Sequence, residues 1–253
     1  MIDFPPWLNL RKPDSFQELD SSTDGVGRYR ILLDGEWLFN EFSELPHLYV
    51  QVYGFFAEVH GLVQEQALIA RSGDSPADDE YRRFNYPWAG GWSSANFYSS
   101  LVRNLADESA PRIIQIQFAS PGFIELSVLL AAAAAVRRCI NETAKTASIV
   151  NKTYDEIYRD LLGRRMLAFD VRKKQLELDK QELAFLIDSR KKLGTAIGLT
   201  PEQAKAVIQL SPGTADKRSA ENELGTVKVL LSLVRRIIGL SKFEENGRAK
   251  FDG

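Results

Sequence analysis

Hydrophobic and polar positions alternate most clearly between Arg112 and Phe118, where isoleucines and a phenylalanine are separated by glutamines. A period of two predicts a strand with one wetter face. The pair Ser120-Pro121 follows, and this pair is typical of a helix N-terminus because serine caps and proline needs no N–H there. The stretch Arg112–Arg138 therefore predicts a buried strand, 112–118, that leads directly into an apolar core helix starting at Ser120-Pro121. Its uninterrupted part, Val128–Val136, is much shorter than the roughly 20 residues of a membrane span, so no transmembrane segment is expected.

Helical spacing recurs over most of the remaining chain. Apolar residues three or four positions apart predict an amphipathic helix over roughly 45–66. Thr200 and Gln203 have the spacing of a capping box and predict the start of a short helix. A final helix over 220–242 carries a broad apolar face, and the polar tail at 243–253 is expected to fray.

One long helix is predicted from Ala147 to about Leu193, where no proline occurs. Two sets of apolar residues repeat every seven positions along it and would lie on opposed faces. A helix with two apolar stripes suits a position between neighbours, either in a bundle or between subunits. The predicted oligomer interface consists of Leu162, Phe169, Leu176, Leu183, Val171, Leu178 and Phe185.

The patterns together predict an α+β fold. Short apolar runs on either side of Asp34-Gly35 predict a hairpin. We expect a small N-terminal layer of two or three short strands with helices, followed by a long, mainly helical region that resembles a bundle or coiled coil. The expected divisions are an extended arm at 1–28, a small α+β domain at 29–145 ending in an apolar helix, and a helical region at 146–253.

Charge is distributed unevenly although the net charge is only −2. Residues 1–110 carry a net charge of −9 and residues 111–253 a net charge of +7. Attraction between the halves, within a chain or between subunits, explains this best, because the bases alternate with acids along helices. A basic half that meets nucleic acid or an anionic membrane surface is the alternative.

Residues that could carry catalysis are scarce. His47 and His60 are thirteen positions apart, so they would point from different faces of one helix and could not share a metal. Cys139 is the single cysteine, which fits a reducing, cytoplasmic setting. No nucleophile elbow, phosphate loop or dinucleotide motif occurs. We therefore expect no metal, no cofactor, no catalytic residues and no enzymatic activity.

The loop 82–94 is the best candidate for a ligand site. Its arginines and aromatic rings could hold an anion or a base, and its glycines would let the backbone approach a ligand. The alternative is an ordered loop whose tryptophans plug the core. The candidate ligand-binding residues are Arg82, Arg83, Tyr86, Trp88, Gly90, Gly91, Trp92, Ser93 and Ser94. Glu125 is a further candidate, either as a poised carboxylate or as the polar edge of the predicted helix.

These observations favour a non-enzymatic assembly or interaction protein that forms a homo-oligomer, or binds a partner protein, through its long helices. A first alternative is a module that binds a nucleotide or nucleic acid through loop 82–94 and the basic C-terminal half. A second is a peripheral membrane protein that lays the 220–242 helix on a lipid surface.

Overall fold

The computed structural model describes residues 25–72, 94–118, 120–164, 180–210 and 220–251. They form a small four-stranded antiparallel sheet beside a layer of helices, which confirms the α+β prediction. The predicted arm at 1–28 lies almost entirely outside the described residues.

The sheet consists of β1 (Val26–Leu33), β2 (Arg112–Gln117), β3 (Gly122–Leu129) and β4 (Ala249–Lys250). The strands lie in the order β2-β3-β1-β4, and every neighbouring pair is antiparallel. β2 and β4 are therefore the edges, and β3 is held on both sides.

Seven helices are described. Helix α7 lies at the centre of the helical layer against α1, α3 and α5, while α3 packs on β1 and β3. The helices are α1 (Phe39–Ser72), α2 (Ser94–Arg103), α3 (Leu130–Lys145), α4 (Ala147–Gly163), α5 (Lys180–Ala196), α6 (Pro201–Gln209) and α7 (Ala220–Glu245).

The predicted hairpin at Asp34-Gly35 is wrong, because the chain enters α1 directly after this turn. Gly35 has a φ of 73°, and the Trp37 indole N–H donates to the Asp34 carbonyl oxygen at 3.1 Å. β1 pairs instead with β3 and β4, whose residues are far away in sequence. Helix α1 also begins earlier than the predicted 45–66 range and contains Pro46, whose missing N–H costs one backbone bond.

The predicted helix start at Ser120-Pro121 is also wrong. The chain continues as β3 to Leu129, and the helix begins at Leu130. β3 is the strand between β1 and β2, so backbone pairing on both edges outweighs the local helix signal. A continuous apolar run fits a doubly covered strand as well as a buried helix, and periodicity alone does not separate the two.

Two antiparallel helices replace the single long helix predicted over 147–193. The Arg164 guanidinium, just after α4, lies 4.4 Å from the centre of the Phe185 ring on α5. The pKa of Lys192, farther along α5, is raised first by its hydrogen bond to Asp188. The negative charge of Asp160 on α4 also raises it. These neighbours require α5 to run back along α4.

The described residues of the predicted oligomer interface therefore lie on two helices and do not form two stripes of one long helix. Leu162 is half exposed at the end of α4, whereas Leu183 and Phe185 are half-buried on α5. Phe169, Val171, Leu176 and Leu178 lie outside the described residues. Their role in oligomerisation remains a prediction.

The C-terminal tail is ordered where fraying was expected. β4 pairs with β1, and the Phe251 side chain is fully buried. Its ring stacks on Tyr49 at a centroid distance of 6.3 Å, and its carbonyl accepts a hydrogen bond from the Tyr29 hydroxyl at 2.8 Å. The tail thus closes the aromatic part of the core.

Two helix predictions near the C-terminus are confirmed. Thr200 and Gln203 form the reciprocal bonds of a capping box at the start of α6. The apolar face of α7, which would have to enter a membrane surface, is buried in the core from Leu224 to Leu240. In the described ranges, no helix is both long and apolar enough to cross a bilayer.

Candidate functional site

The loop predicted to bind a ligand lies outside the described residues. Arg82 to Ser93 belong to the segment between α1 and α2, and Ser94 is the first residue of α2. The predicted helix start at this position is confirmed, whereas the ligand-binding role of the loop remains a prediction.

The two histidines do not form a metal centre. His47 and His60 both lie on α1, and the Nε2 atom of His47 is 2.9 Å from the Gln51 side-chain nitrogen. Within the part of the chain that the structure describes, no group of three or more potential metal ligands is found.

Glu125 is a buried structural carboxylate on β3, where the sequence suggested a helix. Its oxygens lie 2.7 Å from Nε of Arg30 and 3.3 Å from Nη1 of Arg28, and the side chain is 2% exposed. The Arg30 guanidinium also lies 4.9 Å from the centre of the Phe123 ring. A carboxylate held between two arginines on the outer face of the sheet stabilises the fold.

Cys139 is not a reactive thiol. It is fully buried in α3, and burial raises its pKa to about 12. The thiolate, which is the nucleophilic form, is therefore essentially absent at neutral pH.

The main candidate site is an exposed apolar surface at the β2 edge of the sheet. Exposed large side chains occur on β2 and at its end, and two more lie within one helical turn of Phe42, which contacts Phe118. We call the following residues the β2 surface: Ile113 (61% exposed), Ile114 (46%), Ile116 (44%), Phe118 (71%), Leu38 (63%) and Phe39 (88%).

The exposure of β2 corrects the prediction that this strand is buried. Ile31, Ile124 and Ile116 are cross-strand neighbours on the face of the sheet that meets the helices. Ile31 and Ile124 are 2% and 4% exposed, whereas Ile116 is 44% exposed. The apolar face of the sheet therefore continues onto β2, but the helical cover stops before it.

The opposite face and the outer edge of β2 are accessible as well. Gln115 and Gln117 pair across the ladder with Glu125 and Phe123. Among the described residues β2 has β3 as its only neighbour in the sheet order, so within this part of the chain its other edge presents backbone N–H and C=O groups without a strand partner. The pairing register of β2 with β3 shifts between Ile113 and Gln115, as in a β-bulge. The irregular pairing is therefore confined to the first half of β2.

The β2 surface is attached firmly to the core. The Tyr53 hydroxyl donates to the Ser109 carbonyl at 2.7 Å and accepts from the Leu129 N–H at 2.8 Å. Phe118 meets Phe42 of α1 edge to face at a centroid distance of 5.2 Å. The strand is therefore a fixed part of the scaffold.

A carboxylate lies next to the turn between β2 and β3. The Ser120 hydroxyl donates to Oδ1 of Asp34 at 2.7 Å, and the Gly35 N–H donates to the same atom at 2.8 Å. These two hydrogen bonds, the serine first, lower the pKa of Asp34. The carboxylate is therefore ionised throughout the neutral range.

A second candidate is a groove of about 560 Å³ between α1, α3 and α6. Alanines of α3 form its floor, and Arg137, Arg138 and Lys145 line it together with Glu142. Arg138 donates to the Gln203 amide oxygen at 2.8 Å, and Lys145 lies 3.3 Å from Glu142. No side chain of the described residues bonds the half-buried Arg137 guanidinium, so an acceptor could bind there.

A third polar cluster joins α7 to α1 and α2. Nε of Arg236 donates to the Gln51 side-chain oxygen at 2.5 Å, and its guanidinium lies 3.8 Å from the centre of the Tyr98 ring. Burial lowers the pKa of Arg236, and no described carboxylate is within ion-pair distance of it. Because its polar bonds also include the Ser232 carbonyl at 2.9 Å, we assign this arginine to helix packing.

The chain matches no protein-family model, no curated protein and no solved structure. Function is therefore inferred from the β2 surface and the groove alone. Sequence reasoning missed both sites, although the alternation of glutamine with isoleucine in β2 did indicate one accessible face.

Proposed function

We propose that this protein is a non-enzymatic assembly protein that binds another polypeptide at the β2 surface. The partner would add a strand to the free edge of β2 and cover the apolar side chains beside it. The change from 4% exposure at Ile124 to 44% at its neighbour Ile116 is the observation that carries the proposal.

The size of the surface supports this function. Six large apolar side chains with exposed fractions of 44–88% present on the order of 700 Å² of apolar area. The largest apolar patch on a typical monomer is about 300–600 Å², and such patches are often functional. A standard interface buries about 800 Å² on each partner.

Within the described residues, the edge also lacks the features that prevent strand addition. Natural edge strands are protected by charged residues, proline, bulges or a covering helix. The segment from Ile114 to Phe118 contains neither charge nor proline, and the bulge lies before Gln115. The second half of β2 is therefore open to a partner strand.

Site-specific photo-crosslinking in living cells of the source organism tests the proposal. A photoreactive phenylalanine analogue at position 116 should give a covalent adduct with a polypeptide, because this position would contact the added strand. The same analogue at Leu162 samples the helical interface predicted from sequence. Ile208, which is 37% exposed on α6, provides a matched control position.

The adduct pattern decides between the surfaces. An adduct from position 116 that is absent at 208 supports the β2 surface. Adducts from 162 alone would assign assembly to the helices instead, and the absence of any adduct at 116 would refute the proposed function.

A second candidate function, binding of a phosphate-bearing small molecule, is favoured by Arg137. Its half-buried guanidinium faces a groove whose volume lies within the range of about 300–1,000 Å³ that is usual for ligand sites. Two further cations line the groove with one carboxylate, so the local field favours an anion.

We expect Arg137→Ala to weaken the binding of AMP and of inorganic phosphate at least about tenfold, because a charge-assisted contact contributes roughly 1.5–3 kcal/mol. Isothermal titration calorimetry at low salt measures this. Arg159→Ala removes an exposed cation of α4 outside the groove and should leave the affinity unchanged. Equal losses in both variants would indicate nonspecific charge attraction.

A further inference from the structure

We propose that the polypeptide that binds the β2 surface is a second copy of this chain, paired antiparallel about a two-fold axis at Ile116. This inference rests on the proposed function and names its partner. Two sheets of four strands would join through their β2 edges into one sheet of eight strands.

The first support is the symmetry of the strand pattern. The residues Ile114-Gln115-Ile116-Gln117-Phe118 alternate between apolar and polar, and this pattern of polarity is the same in both directions about Ile116, with Ile114 corresponding to Phe118. A two-fold interface requires such self-complementarity, because each residue meets its symmetry partner.

Antiparallel pairing about this axis gives favourable contacts along the strand. Ile116 faces its own copy, and each Ile114 faces a Phe118. Pairs of β-branched and aromatic side chains on facing positions stabilise antiparallel strands. Gln115 would face Gln117, whose amides can bond each other on the opposite side of the sheet.

The second support is the fit between the two copies on the helical side of the sheet. Ile116 and Phe118 lie on the face of the sheet that continues the core, as their contacts with Ile124 and Phe42 show. In the dimer these side chains from both copies would meet beneath one continuous sheet. On the order of 700 Å² of apolar surface per chain is close to what a standard interface requires.

Charge complementarity is the third support. With the register shift between Ile113 and Gln115 taken into account, this pairing would bring Arg112 to the end of the partner's β2, beside Ser120. That serine is bonded to Asp34 at 2.7 Å, and the carboxylate is exposed. Each end of the paired strands would then combine an arginine of one copy with a carboxylate of the other.

Disulfide trapping tests the register. Cys139 is fully buried, so an introduced cysteine would be the accessible thiol among the described residues. Under mild oxidation Ile116→Cys should form a covalent dimer, because the axis brings the two side chains together. Gln115→Cys is the matched control. The two introduced cysteines at position 115 would be diagonal neighbours about 7–8 Å apart, which is too far for a disulfide bond to form readily.

Charge reversal tests the ends of the strands without altering the apolar contacts. Arg112→Glu and Asp34→Arg should each weaken dimerisation about tenfold, and the double variant should recover most of the affinity. Light scattering over a dilution series measures the dissociation constants.

The outcomes separate this inference from the proposed function. Covalent dimer from Ile116→Cys together with charge-reversal rescue supports the two-fold dimer. A wild-type protein that stays monomeric at tens of micromolar, with no trapping at 116, overturns the dimer. If position 116 still gives a photo-adduct whose mass differs from two copies of the chain, the assembly function is retained with a different partner.

Discussion

Replacing Phe251 with alanine should lower the free energy of unfolding by about 3–5 kcal/mol, the usual cost of removing a fully buried aromatic side chain. The ring is fully buried and stacks on Tyr49, so its loss would leave a cavity beside β4. The expected effect is large although the residue lies near the end of a tail whose composition is polar.

Lys250→Ala is the matched control, because Lys250 is the exposed neighbour in the same strand. This substitution should change stability by less than about 0.5 kcal/mol. Urea unfolding followed by circular dichroism compares the two variants. A loss below about 1 kcal/mol for Phe251→Ala would show that the tail is not part of the core.

Arg30→Ala should destabilise the protein by about 2–3 kcal/mol, because it leaves a buried carboxylate with an incomplete set of partners. Glu125 is 2% exposed and lies 2.7 Å from the Arg30 guanidinium, which is one-third exposed. We place the expected loss below the 3–5 kcal/mol typical of breaking a fully buried ion pair. Arg30 is partly solvated, and Arg28 remains close to the carboxylate.

Arg28→Ala is the matched control for this pair. Arg28 contacts the same carboxylate at 3.3 Å, but its side chain is 76% exposed. Solvent screening should limit its loss to within about 1 kcal/mol. Guanidinium chloride is unsuitable because it screens charge, so urea midpoints should be compared. Similar losses in the two variants would show that burial does not determine the strength of this pair.

The position of the β2 surface follows from the way the sheet is covered. Helix α3 packs on β1 and β3, and α7 packs on β4. β2 extends beyond this cover while keeping the apolar composition of an interior strand. An edge strand of this kind is an aggregation risk when it stays uncovered, and we propose that burial against another chain covers it.

The elements predicted correctly depend on local interactions. The capping box at Thr200 involves residues three positions apart, and the apolar face of α7 repeats within each pair of helical turns. Such signals are complete within a few residues of sequence, because helix hydrogen bonds and caps are themselves local. The α+β class followed from the same local patterns.

The errors concern elements whose partners are distant in sequence. Ser120-Pro121 carries a helix-start signal, but the next eight residues pair with β1, whose residues lie 89 to 103 positions earlier. The segment 147–193 has helical composition throughout, and the contact between Arg164 and Phe185 shows that it turns back on itself. Neither result is encoded in a short window of sequence.

The sequence by itself determined the class of fold, the start of α6, the apolar face of α7 and the alternating pattern of β2, because each depends on spacing between near neighbours. Only the tertiary structure decided that Ile116 is exposed while its cross-strand neighbour Ile124 is buried. Both are isoleucines in strands, with the same intrinsic preference for burial. Their difference arises because accessible surface depends on which helices pack over each strand, and that packing joins residues from both ends of the chain.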